Sequence, residues 1–139
     1  MELEALQNAL PEIIAAGATL VAVSPQLPAH NREVVQRHGL TFELLSDVGN
    51  RVARAFGLVF TLPPELRRVY TSFGIDLATV NGDDSWTLPM PARLVIDPAG
   101  SIRVVDVDPD YTKRPEPAWT VQALRALASE TRKTTTVLR

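Results

Sequence analysis

The chain has 139 residues, of which 45% are hydrophobic and 22% are charged, and its formal net charge is -2. This balance predicts one globular domain, and the charge gives no reason to expect nucleic acid or an anionic membrane as a partner. The chain contains no cysteine, which excludes disulfides and thiolate chemistry within these residues. Its start, Met-Glu-Leu-Glu, is acidic where a signal peptide would be basic. No apolar run reaches the roughly 18–20 residues that span a bilayer, and we expect a cytoplasmic protein.

The first elements are a helix and a buried strand. Apolar residues recur at helical spacing over residues 3–16, which predicts an amphipathic helix. Pro11 lies inside this pattern and is expected to kink the helix or to begin a second segment. Ala18–Val23 is a short and almost wholly apolar run. Such a run is typical of a strand buried on both faces of a parallel sheet.

Shorter elements follow in the middle of the chain. Residues 30–38 predict a helix, and Phe42–Leu45 is a candidate strand. Ser46 or Asp47 is placed to cap the helix after that strand, because a side-chain oxygen there can accept from free backbone N–H groups. Pro63-Pro64 opens a further helix, since proline is tolerated in the first turn.

Residues 76–91 carry no periodic pattern and predict a long loop, and long loops in compact domains are often functional. Asp83-Asp84 in this loop is interpreted as a turn with capping carboxylates, because the pattern of a calcium-binding EF-hand loop is missing. His30 and His38 are eight residues apart in the sequence, without further ligands at metal-site spacing, and are interpreted as surface residues. The sequence therefore predicts no metal site.

The C-terminal third predicts a hairpin and a helix. Ala92–Ile96 and Ile102–Val107 are strand-like runs joined by Asp97-Pro-Ala-Gly100, whose proline and glycine positions suit a type I turn. Two strands joined this tightly predict an antiparallel hairpin. Glu116–Ser129 predicts a helix, and residues 130–139 lose the pattern and are expected to form a frayed tail.

An ordered set of stretches resembles the peroxiredoxin-like branch of the AhpC/TSA group, within the thioredoxin-like superfamily. These stretches are Leu10–Ile13, Gly17–Pro25, Leu45–Leu58, Asn81–Pro89, Pro91–Asp97 and Gly100–Arg103. The resemblance implies an α/β fold: a thioredoxin-like three-layer sandwich whose mixed sheet ends in an antiparallel hairpin and a helix. It assigns residues 1–129 to one thioredoxin-like domain that is incomplete at its N-terminus, followed by a tail at 130–139.

Relatives of this kind begin with a strand and a loop that holds the peroxidatic cysteine, and neither has a counterpart here. Two explanations stay open: a chain that starts further upstream, or a truncated, cysteine-free relative. The missing strand would lie centrally, between Ala18–Val23 and Ala92–Ile96. Either these two strands pair directly or another chain supplies a strand, and we favour a homodimer. The β-prone tail Thr134–Leu138 is a further candidate for addition to a sheet edge.

The resemblance also implies a substrate-facing region around Met90, Pro91, Arg93 and Trp86. Met90-Pro91 resembles the cis-proline position of the superfamily, where a cis bond exposes backbone for pairing with a substrate. The other interpretation is an ordinary trans bond at a strand edge. Arg93 could attract an anion, but a solvated strand residue is favoured. Trp86, by residue type alone, is interpreted as a core or interface residue.

The family role implied by the resemblance is thiol-dependent reduction of hydroperoxides, an antioxidant activity. That reaction needs a thiolate, so this chain is expected to be inactive by itself. A thiol reductant or a protein would be its partner, and no cofactor is expected. The alternative is a non-catalytic thioredoxin-like module that binds a protein partner.

Overall fold

A computed structural model describes residues 2–110, 112–113 and 115–137, and the side chains only as far as residue 131. The described chain alternates helices and short strands. The helices are α1 (Glu2–Ala15), α2 (Pro28–His38), α3 (Arg51–Ala55), α4 (Pro64–Ser72), α5 (Leu77–Asn81) and α6 (Pro117–Val137). The strands are β1 (Val21–Ser24), β2 (Glu43–Ser46), β3 (Val59–Thr61), β4 (Thr87–Pro89), β5 (Ala92–Ile96) and β6 (Ile102–Val107). Within these residues no helix combines the length and the apolar character needed to cross a membrane.

The strands pair two by two. β1 and β2 are parallel and are joined through α2, β3 and β4 are antiparallel, and β5 and β6 are antiparallel. The α/β class is as predicted, but the described strands form three two-stranded sheets in place of one continuous sheet. Among the described residues, the ladder partner of β1 is β2 and that of β5 is β6.

The chain divides into two compact units. The hairpin unit comprises the described residues of 1–20 and 91–139, with α1, β5, β6 and α6, and the 21–90 unit comprises Val21–Met90. Within the hairpin unit α1 contacts α6, and α6 contacts β5. Its buried apolar residues are Leu6, Leu10, Ile13, Val95 and Val121. In the 21–90 unit α2 contacts β2, and the buried apolar residues are Leu40, Phe42 and Leu62.

The first helix follows the predicted apolar stripe. Leu6, Leu10 and Ile13 are buried at spacings of four and three, which places them on one face. Pro11 does not divide the helix, which continues to Ala15. The expected second segment is therefore not formed, although proline inside a helix removes one backbone hydrogen bond.

The predicted hairpin has the predicted strand limits. The Gly100 amide donates to the Asp97 carbonyl at 2.9 Å, which closes the turn, and the Asp97 amide donates to the Ser101 carbonyl at 2.9 Å. The Asp97 carboxylate accepts from the amides of Ala99 and Ser101. Gly100 has a φ of +86°, a conformation in which a side chain would be strained.

Three local predictions were wrong. Val21 and Val23 of β1 are 47% and 49% exposed, so this strand is not buried on both faces. Residues 76–91 are no uninterrupted loop, since they contain α5 and β4. The β-prone tail is helical as far as Val137, and Leu138 lies outside the described residues. Once a helix is established each added residue gains a hydrogen bond, which outweighs the small helix penalty of threonine and valine.

Candidate functional site

The proline region was predicted as a cis bond, and this prediction was wrong: the bond between Met90 and Pro91 is trans. The Met90 amide donates to the Leu58 carbonyl at 2.7 Å. Met90 therefore continues the β3–β4 pairing, in which Val59 lies opposite Pro89. Its amide is used within the 21–90 unit and is not presented to a substrate. Pro91 directly precedes β5, where the missing N–H removes no ladder bond.

Trp86 is half-buried and is held at the start of β4. Its φ of +56° lies in the left-handed region, which is rare for a bulky residue. The Trp86 carbonyl accepts from the Leu62 amide at 2.8 Å, and this bond extends the β3–β4 pairing by one residue. The Arg67 guanidinium lies 5.9 Å from the centre of the Trp86 ring and donates through Nε to the Leu62 carbonyl at 2.8 Å. Sequence reasoning missed Arg67, because no motif links α4 to a residue nineteen positions later.

Arg93 is not the solvated strand residue that the sequence favoured, since its side chain is only 12% exposed. Nη2 donates to Glu2 Oε1 at 2.9 Å, and Nη1 donates to the Pro115 carbonyl at 2.9 Å and to Thr120 Oγ1 at 3.2 Å. The guanidinium thus ties β5 to α1 and to the start of α6. With its charge paired in this way, Arg93 acts as a structural residue of the hairpin unit and offers no unpaired charge to an anion.

A polar cluster lies at the carboxyl ends of β1 and β2, the edge at which open α/β sheets commonly bind ligands. The Asp47 amide donates to the Ser24 carbonyl at 2.7 Å, so the register of the parallel pair extends past β2. The Asp47 carboxylate accepts from the amides of Val52 and Ala53, both at 3.0 Å. This confirms that one of the two predicted residues caps the helix, and it identifies Asp47 as that residue.

Two buried asparagines flank this cluster. Asn31 Nδ2 donates to Ser46 Oγ at 2.8 Å and to the Leu45 carbonyl, and Asn50 Nδ2 donates to the carbonyl and the hydroxyl of Thr87. Both residues are at least 97% buried, yet their Oδ1 atoms have no hydrogen-bond partner among the described residues. The cluster thus presents buried amide oxygens as acceptors. No sequence motif pointed to either asparagine.

The carboxylates with shifted pKa values cap turns and helices. A hydrogen bond from the Thr79 hydroxyl lowers the pKa of Asp76, and one from the Ser85 hydroxyl lowers the pKa of Asp83. Asp83 also accepts from the Ser85 amide at 2.6 Å, as the turn interpretation of Asp83-Asp84 predicts. Hydrogen bonding by Ser101 lowers the pKa of Asp97. A lowered pKa favours the ionised form, which suits an acceptor and not a general acid.

The next question is whether the described residues include a metal-binding cluster or a reactive thiol. Across the described residues no group of three or more histidine, aspartate or glutamate side chains is placed to hold a metal ion. The full sequence contains no cysteine. The described side chains of this region take part in hydrogen bonds, ion pairs and apolar contacts.

Comparison with known proteins gives one informative result. The model of the AhpC/TSA family matches residues 1–105, which is most of the chain and includes α1, β1 to β5 and all four residues of the predicted substrate-facing region. No curated protein matches the chain at a significant level. Members of the matched family have the thioredoxin-like fold, in agreement with the mixed α/β structure described above. The chain therefore belongs to the AhpC/TSA family.

Proposed function

We propose that this chain provides the thioredoxin-like scaffold of a thiol-dependent hydroperoxide reductase and that it catalyses no peroxide reduction by itself. The observation that carries the proposal is the family match over residues 1–105 in a chain without cysteine. Peroxide reduction by this family needs a thiolate, because the thiol form is a poor nucleophile. The thiolate would have to come from outside these 139 residues. The proposed location is the cytoplasm.

The methionines do not replace the missing nucleophile. The chain has two, Met1 and Met90. A thioether is oxidised to a sulfoxide and needs a dedicated reductase to return, so it does not turn over with a simple thiol. The side chain of Met90 is also half-buried in the 21–90 unit. Any peroxide loss through these residues would stop after one oxidation per methionine.

The second candidate function is a non-catalytic module that binds a protein. Exposed apolar residues on the strands favour it, because single-sided strands with such residues are sites at which other chains add. Val23 of β1, Leu45 of β2 and Val105 of β6 are all more than 45% exposed. Homodimerisation and binding of a thiol reductase or another protein are forms of the same proposal.

A steady-state peroxidase assay tests the first proposal. Hydrogen peroxide loss is followed with dithiothreitol as reductant, in buffer, with the 139-residue chain, and with a cysteine-containing AhpC/TSA protein as a positive control. We expect the chain to give the rate of the buffer and the control to exceed it. A reductant-dependent rate above buffer that scales with the concentration of the chain would contradict the proposal.

A further inference from the structure

An open cleft in the 21–90 unit lies between the turn that joins β2 to α3 and the segment formed by α5 and the turn after it. Its volume is about 600 Å³, within the roughly 300–1,000 Å³ of pockets that take small ligands. Val48 and Arg51 line one side, and Ala78, Asp83 and Asp84 line the other. Each side of the cleft therefore has an aliphatic side chain, and the two sides carry charges of opposite sign.

The charges that line the cleft are not paired with one another. Hydrogen bonds from Ser85 and, to a smaller extent, the charge of Arg54 lower the pKa of Asp83, so this carboxylate is ionised and already has a donor. The side chains of Arg51 and Asp84 have no hydrogen-bond or ion-pair partner among the described residues, and both residues are exposed. One free charge of each sign thus lines the cleft, on opposite sides.

A chain of hydrogen bonds connects the two sides. Asn50, in the turn before α3, donates from Nδ2 to the Thr87 hydroxyl at 3.0 Å, and that hydroxyl is hydrogen-bonded to the Ser85 hydroxyl at 2.8 Å. The Ser85 amide donates to the Asp83 carboxylate at 2.6 Å. Asn50 is only 2% exposed, so the first bond of this chain is shielded from water. The spacing of the two sides is therefore set before a ligand binds, which lowers the entropic cost of binding.

The two free charges indicate what kind of ligand the cleft accepts. An anion pairs with Arg51 but is repelled by the carboxylates of Asp83 and Asp84. A cation pairs with Asp84 but is repelled by Arg51. A molecule that carries both an ammonium group and a carboxylate pairs with both sides and meets neither repulsion.

We propose that this cleft binds a small zwitterion with separate ammonium and carboxylate groups, the class formed by free amino acids and by peptides of two or three residues with uncapped termini. The carboxylate of the ligand pairs with Arg51, and its ammonium group pairs with Asp84. Short aliphatic groups of the ligand contact Val48 and Ala78. The inference concerns binding and stands independently of the proposed function.

A titration of the ¹⁵N-labelled 139-residue chain, followed by amide chemical shifts at pH 6.5, tests the proposal. The probe is the dipeptide Ala-Ala, and the controls are its N-acetylated form, which is an anion, and its C-amidated form, which is a cation. At millimolar Ala-Ala we expect the amides of Gly49, Gly82 and Asp84 to shift. Each control should bind about fivefold more weakly, the loss that one exposed ion pair gives.

Free alanine and Ala-Ala-Ala, titrated in the same way, distinguish an amino acid from a peptide as the ligand. The tighter binder is the one whose charge separation matches that of Arg51 and Asp84. Binding by none of the three zwitterions would overturn the proposal. Equal binding of Ala-Ala and its two capped forms would also overturn it, as would shifts confined to amides away from the cleft.

Matched variants test the assignment of the two charges. Arg51→Gln and Asp84→Asn should each weaken Ala-Ala binding about fivefold. The controls Arg68→Gln and Glu65→Gln change exposed residues of α4 that do not line the cleft, and they should leave binding unchanged. In Arg51→Gln the C-amidated and free dipeptides should bind equally, because the partner of the carboxylate is gone. An equal loss in the control variants, or a retained preference for the free carboxylate in Arg51→Gln, would overturn the proposal.

Discussion

The two units of this chain are stabilised by different kinds of contact. In the hairpin unit, contacts join residues far apart in sequence: Arg93 bonds to Glu2, and Arg125 bonds to Glu12. In the 21–90 unit, the hydrogen bonds of buried polar side chains span shorter separations, from five positions between Asp47 and Val52 to 37 positions between Asn50 and Thr87. Its buried polar residues are Asn31, Asp47, Asn50 and Asn81, and the hairpin unit has none among the described residues. The hairpin unit thus combines apolar burial with ion pairs between distant residues, and the 21–90 unit combines apolar burial with hydrogen bonds of buried asparagine and aspartate side chains.

The largest effect is expected from the apolar core of the hairpin unit. Ile13 is 2% exposed, whereas its neighbour Ile14 is 61% exposed. Ile13→Ala should lower the free energy of unfolding by about 2–5 kcal/mol, because it removes buried methyl groups and leaves a cavity. Ile14→Ala is the matched control and should change it by less than about 0.5 kcal/mol. Equal effects in urea unfolding would contradict the assignment of the buried face of α1.

The ion pairs of the hairpin unit should differ in strength. Arg93→Met should lower the free energy of unfolding by about 2–3 kcal/mol. The reason is that Glu2 and two further acceptors lose their donor at a largely buried position. Arg125→Met is the control, since both partners of that pair are 60% exposed. It should cost no more than about 0.5 kcal/mol. Comparable losses from the two variants would show that Arg93 does not join β5 to the helices as described.

The cap at Asp47 should contribute less to the free energy of unfolding than Ile13 or Arg93 does. Asp47→Ala removes the acceptor of two backbone amides and should cost about 0.5–2 kcal/mol in urea unfolding. Asp47→Asn keeps the size and one acceptor oxygen, so its loss should be smaller. If Asp47→Asn destabilises more than Asp47→Ala, the carboxylate does not act as a cap.

The smallest effect is a pH dependence of the hairpin. Hydrogen bonding by Ser101, together with Arg103, holds the pKa of Asp97 below its ordinary value of 3.8. A folded-state pKa below the unfolded one gives stabilisation that is present above pH 3.8 and is lost as the pH falls further through the folded pKa. Asp97→Asn should remove this part of the acid dependence. The measurement is the exchange rate of the Ser101 amide between pH 5 and pH 2.5 in the wild type and in the variant. Exchange rates that depend on pH in the same way in both proteins would contradict the prediction.

Local features of the fold could be predicted from the sequence. The limits of β5 and β6 followed from β-branched runs on either side of a proline- and glycine-containing turn, and the cap at Asp47 followed from its position before a helix. These features depend on residues within a few positions of one another. The helical tail was missed because local β-propensity is weaker than the continuation of an established helix.

Long-range features of the site could not be predicted in the same way. The burial of Arg93 depends on Glu2, which lies 91 positions away, and on Thr120. Asn50 is buried through bonds to Thr87, 37 positions away. Such pairs leave no periodic signal in a single sequence. The trans bond at Pro91 was missed because the cis expectation rested on resemblance and not on these residues.

The central claim is that the chain has the AhpC/TSA scaffold without its nucleophile. A single-turnover experiment tests this most directly: the chain is mixed with an equimolar amount of hydrogen peroxide, without reductant, and the remaining peroxide is followed over the first seconds. A cysteine peroxidase consumes one equivalent per site in this phase as its thiolate becomes a sulfenic acid. For this chain we predict no burst, with a time course equal to that of buffer. A rapid loss of peroxide in proportion to the protein present would contradict the account.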